Sequence, residues 1–246
     1  MSIVLAEIDR RSATRRPPGR PRGYHRWSDL VFIHWRLPAE AVAPLLPAGL
    51  TLDTWQGDAW VGLVPFRMSG VRPWWSPWGA AFPETNVRTY VHFRGRDPGV
   101  WFFSLEASHR LAITIARNCW GLNYHHARMS AARQGNRVQY ESRRSADGGV
   151  FCRIEATWEG AAFRAQPDTL EHFLVERYVL YARSRTGRLF RGRVHHAPYV
   201  LQEARLMRLE QSLLAANGIR CAEPPCHVLA SREVDVEIFP LVPATQ

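Results

Sequence analysis

The chain has 246 residues, with 32 basic side chains against 22 acidic ones, a net charge of +10 and 46% hydrophobic content. That composition is globular rather than disordered, no apolar run approaches the ~18 residues of a membrane-spanning helix, and the length suits one large domain or two small ones. Every basic position is Arg and none is Lys, which excludes a lysine Schiff base or a lysine general base from its chemistry.

Residues 1–26 read as a basic, disordered tail ahead of a single domain at 27–246. The tail is rich in Pro and Gly and carries Arg10, Arg11, Arg15, Arg16, Arg20, Arg22 and Arg26 against Glu7 and Asp9. Glu7 and Asp9 interrupt the apolar stretch at 3–6, so no secretory signal is expected and cytoplasm is the default location. Residues 30–36 then read as a strand. Pro38 opens a short helix over 38–46 that Pro47 and Gly49 stop. Residues 50–55 and 59–71 form an expected hairpin around Gly57-Asp58. A loop dense in Trp and Pro follows at 73–78, then strands at 85–94 and 100–107.

Residues 109–120 predict a helix with Arg110, Thr114, Arg117 and Asn118 on one stripe and Leu111, Ile113, Ile115, Ala116 and Trp120 elsewhere. Gly121 is its left-handed stop. Strands are expected at 127–132, 137–142 and 150–159. A helix over 168–177 takes Asp168 as N-cap with Glu171 three residues on. Strands at 178–183, 188–194 and 200–209, a short helix at 210–216 and a strand at 232–239 complete the chain. The fold class is therefore mainly β with a few short helices. The absence of βαβ alternation points to a closed or nearly closed antiparallel sheet.

Cys119, Cys152, Cys221 and Cys226 form no C-x-x-C pair. Cys221, Cys226 and His227 lack a fourth zinc ligand at a defined spacing, so reduced thiols are expected. No phosphate loop, G-x-S-x-G elbow or H-E-x-x-H helix is present.

Four segments carry candidate chemistry. On the strand at 85–94, alternate residues share a face. Glu84, Asn86, Arg88, Tyr90 and His92 fall on one side, and Val87, Val91 and Phe93 on the other. An acid, an amide, a guanidinium, a phenol and an imidazole are an unusual set for a merely solvated face, and the neighbouring Trp/Pro loop with Trp75 could roof a pocket. After the long helix, Tyr124, His125 and His126 follow Gly121, and adjacent residues of an extended stretch point to opposite sides. Glu176-Arg177-Tyr178 and His195-His196 are the other two. A metal site of two His and one carboxylate from His125, His195 and Glu84 is a minor alternative.

The runs A-W-V-G-L-V-P-F-R-M at 59–68, F-P-E-T-N-V-R-T-Y-V at 82–91, G-V-W-F-F-S-L at 99–105, Y-H-H-A at 124–127, L-E-H-F-L at 170–174 with E-R-Y at 176–178, and V-H-H at 194–196 resemble the DUF2071 (YqjF-like) family. Asn123 stands where that family's G-L-P-Y-H block has proline. The family looks like a branch of the acetoacetate-decarboxylase-like fold, which implies a cone-shaped, mostly antiparallel β-barrel around a polar pocket. The resemblance puts the decarboxylases' lysine pair on Tyr124 and His125 and their strand glutamate on Glu84. A second glutamate would fall near Val61 and an arginine near Ser28, so neither is kept.

The expected function is a small-molecule-binding barrel, a lyase- or isomerase-like enzyme without cofactor or metal. It would act on a small oxo-acid or carbonyl compound by acid–base enolisation, dehydration, cyclisation or decarboxylation. Glu84, Tyr124 and His125 are the expected catalytic residues; Arg67, Asn86, Arg88, Trp75, Tyr178 and His195 are expected to bind substrate. The alternatives are a non-catalytic small-molecule binder and, through the Arg-rich tail, a nucleic-acid binder. A homo-oligomer is compatible with the sequence, and no membrane partner is expected.

Overall fold

The computed structural model describes residues 8–244. Runs rich in β-branched and aromatic residues form four long strands: β1 (Gly23–Leu37), β3 (Ala59–Pro73), β4 (Ala80–Phe93) and β5 (Arg96–Ala107). Between β1 and β3 lie α1 (Ala39–Val42) and β2 (Thr51–Leu52). After β5 come α2 (Arg110–Trp120), β6 (Tyr124–Gln134), β7 (Arg137–Arg144), β8 (Phe151–Phe163) and α3 (Leu170–Val175). Strands β9 (Val179–Arg183), β10 (Leu189–His196) and β11 (Leu201–Gln211), helix α4 (Leu213–Ala216), and strands β12 (His227–Ile238) and β13 (Val242–Pro243) follow. Among the described residues, no helix is long and apolar enough to cross a membrane.

Hydrogen bonding closes the sheet into two fused rings. One runs β1–β3–β4–β5–β9–β10–β12 and back to β1. The other shares β12, β1, β3, β4 and β5 and closes through β6, β7, β8 and β11. Closure removes the open edges that would otherwise invite pairing with other chains.

The middle segments of β1, β3 and β4 are buried on both faces. Leu30, Phe32, Val64 and Phe66 enter one core, whereas Val31, Ile33, Val61 and Leu63 enter a second core with Tyr140, Ile154 and Trp158. By contrast, β7 buries Val138, Tyr140 and Ser142 and exposes the residues between them. The polar face of β4 is therefore an inner surface, and Glu84, Asn86, Arg88 and Tyr90 are all buried. Gly99 is needed for closure, since a Cβ there would lie 2.5 Å from the Val179 carbonyl oxygen across the β5–β9 pair.

Several sequence expectations are corrected. The 50–55 segment keeps only β2, which pairs with β4 rather than β3. The turn itself forms, with Trp55 and Asp58 exchanging backbone hydrogen bonds across Gln56 and Gly57, both at positive φ. The buried Asp53 carboxylate is held by Arg177 at 2.7 Å and paired with Arg10, and the Asp53 N–H donates to the Tyr90 carbonyl of β4. Asp168 does not cap α3. It adopts φ 65°, and the Thr169 hydroxyl accepts from the His172 N–H at 3.3 Å instead.

A crossover is also present, because β5 and β6 are parallel and joined through α2. Of the expected tail, residues 1–7 lie outside the described residues. Strand β1 begins at Gly23, ahead of the strand expected at 30–36, because residues 23–28 pair with β12. Residues 8–22 lie along the domain: Arg11 pairs with Asp168, Arg16 sits 2.6 Å from Glu237, and Arg193 donates to the carbonyls of Ala13 and Arg15.

Candidate active site

A cavity of about 590 Å3 opens inside the smaller ring, walled by β1, β3, β4, β5 and α2. Strand β4 delivers Glu84, Asn86 and Arg88 to it by simple alternation. Tyr124 arrives by a different route. Helix α2 ends at Gly121, whose φ of 61° turns the chain back, and Arg117 Nε donates to the Tyr124 carbonyl at 2.7 Å. Parallel pairing then sets Tyr124 beside Leu105, and both side chains line the cavity.

The Tyr124 hydroxyl donates to Glu84 Oε2 at 2.7 Å. Burial pushes the Glu84 carboxyl up to about 8, with the Tyr124 and Asn86 hydrogen bonds opposing the shift and the Glu106 charge adding to it. Burial and the adjacent Glu84 drive the Tyr124 phenol well above its ordinary value. At neutral pH the pair is thus a protonated carboxylic acid held by a phenol, inside a wall that includes Trp27, Phe32, Phe66 and Phe82.

Arg88 donates from Nη2 to the Leu174 carbonyl at 3.1 Å, and its guanidinium lies over the Phe32 and Tyr90 rings. Its Nε has no partner, nor does Oδ1 of Asn86. Among the described residues, Arg88 makes no ion pair. Trp75 lies at the mouth, 70% exposed.

Glu84, Tyr124, Asn86, Arg88 and Trp75 therefore share the cavity, as sequence reasoning expected, and four other candidates do not. His125 falls on the opposite face of β6 from Tyr124, across from Glu106, and burial lowers its pKa. Arg67 is exposed because Phe66 and Met68 take the inward positions on β3. His195 lies 3.6 Å from Glu237 because its neighbour Val194 points inward. Tyr178 is buried behind the wall, stacked on His196 at 4.4 Å and hydrogen-bonded to Glu176. Nor do His125, His195 and Glu84 meet; among the described residues, no three His, Cys, Asp or Glu side chains form a metal-binding group.

Sequence reasoning missed His25, Trp27, His109 and Tyr199, and it singled out the run holding Arg177 without giving that residue a role; all five line the cavity. In β1 the inward parity changes from odd residues (25, 27) to even ones (30, 32). Asp29, at φ 55°, sits in the irregularity of the β1–β3 register that causes the switch. Burial lowers the His25 pKa to about 4, leaving its ring neutral. His109 caps α2, accepting from the Ala112 N–H through Nδ1 at 3.2 Å, and stacks on Phe82. Arg177 is held by Asp53 and the Phe173 carbonyl, with Nη2 unpartnered. Its only signal in the sequence was the E-R-Y run.

Known proteins share this architecture. The chain is 35% identical over 218 residues to uncharacterized protein YqjF of Bacillus subtilis (strain 168), covering 87% of this chain and 89% of that one. The solved structure of the enduracididine biosynthesis enzyme MppR complexed with pyruvate superposes with a TM-score of 0.64 at 14% identity, covering 96% of this chain and 93% of the other. Acetoacetate decarboxylase from Legionella pneumophila superposes with a TM-score of 0.63 at 13% identity, covering 95% and 94%. At such identities these two structures establish the fold alone. Residues 24–235 match the family described as an uncharacterized conserved protein, DUF2071, and the chain belongs to that family.

Proposed function

We propose that the protein is an enzyme that polarises the carbonyl group of an oxo-acid with a neutral carboxylic acid, without a covalent intermediate. The observation carrying this reading is the Tyr124–Glu84 hydrogen bond inside a cavity that also holds an unpaired guanidinium. Arg88 binds the substrate carboxylate, the neutral His25 ring on the same wall takes the α-proton, and Glu84 donates its proton to the carbonyl oxygen as charge develops there. Tyr124 fixes the Glu84 carboxyl so that its other oxygen faces the substrate. MppR, which shares the fold, was solved with the oxo-acid pyruvate bound.

The residues favour some reactions over others. Decarboxylation starts from the carboxylate itself, and a buried guanidinium that stabilises that charge in the ground state loses the attraction as neutral CO2 forms. Enolisation or dehydration next to the carbonyl is therefore favoured over decarboxylation. The Arg-rich tail gives little support to nucleic-acid binding, since Arg10, Arg11, Arg16 and Arg26 are already paired with Asp53, Asp168, Glu237 and Asp235.

The test is proton–deuterium exchange at the α-carbon of 2-oxooctanoate in D2O, followed by NMR. Wild-type protein should accelerate exchange over buffer, and Glu84→Gln should reduce that acceleration about 100-fold or more. Wild-type exchange no faster than buffer, with binding retained, would leave a non-catalytic binder, and equal acceleration in the two proteins would remove Glu84 as the acid.

A further inference from the structure

The cavity exceeds what a three- or four-carbon acid needs. At ~30 Å3 per water-sized group, its 590 Å3 has room for roughly twenty non-hydrogen atoms, within the range of drug-sized ligands. Pyruvate has six such atoms. A small acid would leave most of the apolar wall in contact with trapped water, at a cost proportional to that area.

The wall is also asymmetric. Its buried polar groups, Asn86, Arg88 and Arg177, are 4%, 9% and 7% exposed, and each carries an atom with no hydrogen-bond partner. Beside the exposed Arg22 and Pro73, its rim carries three large apolar side chains: Trp75 at 70%, Leu111 at 65% and Ile115 at 50% exposed. Exposed apolar side chains gathered at an opening mark a surface that something apolar covers.

Charge selects the other end of that molecule. Four arginines line the cavity (Arg22, Arg72, Arg88 and Arg177), and Glu84 is the only carboxylate among the described lining residues. Arg177 is offset by Asp53, and Arg72 bonds the Ser76 carbonyl and stacks over Tyr24. Arg88 has no carboxylate partner among the described residues, and a buried, uncompensated cation calls for an anion.

We propose that the ligand is an amphipathic carboxylic acid with an apolar body of about ten to fourteen carbons. Its carboxylate meets Arg88 inside the cavity, and its chain runs out between α2 and Trp75. This names the substrate class of the proposed enzyme and rests on that reading only in placing the reactive carbonyl beside Glu84.

The experiment titrates the wild-type protein with saturated fatty acids from butanoate to hexadecanoate, below their micelle concentrations, by calorimetry. The dissociation constant should fall about three- to fourfold per added methylene and level off near dodecanoate. Dodecanol should bind at least tenfold more weakly than dodecanoate. Affinity independent of chain length, or dodecanol equal to dodecanoate, overturns the proposal. The exchange assay on Glu84→Gln separates the two claims. Chain-length dependence without catalysed exchange keeps the ligand class and removes the enzyme; exchange without chain-length dependence does the reverse.

Discussion

Glu84 is a carboxyl group placed where water cannot solvate its charge. Between pH ~4.5 and ~8 the folded protein keeps a proton that the unfolded chain has released, so stability falls as pH rises through that window. Glu84→Gln has no such proton to lose. Its melting temperature should therefore gain on that of wild type as pH rises from 5 to 9, by the equivalent of at most about 5 kcal/mol; a difference that stays flat with pH would show Glu84 ionising normally. His25 works with the opposite sign. Its pKa of about 4 means that the unfolded chain binds the extra proton, so stability is lost as pH falls from ~6.5 toward 4. Among the residues, the acid, amide and guanidinium of β4 were legible because such a mixture is out of place on a solvated face. His125 was not placed correctly because extended neighbours point to opposite sides, and sequence alone does not say which side is inward.

Strand β5 shows how one residue controls an element. Gly99 lets β9 approach, and β9 in turn closes the smaller ring through β10. Gly99→Ala should cost about 2–3 kcal/mol in denaturant unfolding and weaken ligand binding as the ring opens. Gly148→Ala, with nothing within 4 Å of the new Cβ, should stay within ~0.5 kcal/mol of wild type; similar losses for both would sink the packing argument. Strands with one wet face, such as β7 with its strict alternation, were easy to read from the sequence. The shared strands could not be read so simply. Their two faces meet two different cores, and a positive-φ residue in β1 switches the inward parity at Asp29. The Gly/Pro/Arg composition of residues 1–26 concealed the start of β1, because the strand there is held by pairing with β12 from 200 residues further along the chain rather than by local propensity.

At the scale of the whole molecule, two rings with one common wall cannot unfold separately without breaking β12, β1, β3, β4 and β5 together. Amide hydrogen exchange should accordingly find the slowest protons in those five strands, at the global unfolding free energy, with β7 and β8 no slower. Independent protection of the β6–β7–β8 side would contradict a shared wall. That wall also supports the functional account, because it makes the polar face of β4 an interior surface and buries the Glu84 carboxyl. The most direct measurement is a carbon-13 NMR titration of the labelled glutamate carboxyls, assigned by the signal that Glu84→Gln removes. The account predicts a midpoint near 8 for Glu84, raised further in Tyr124→Phe. A midpoint near 4.5 would mean a solvated carboxylate and would contradict the account at its centre.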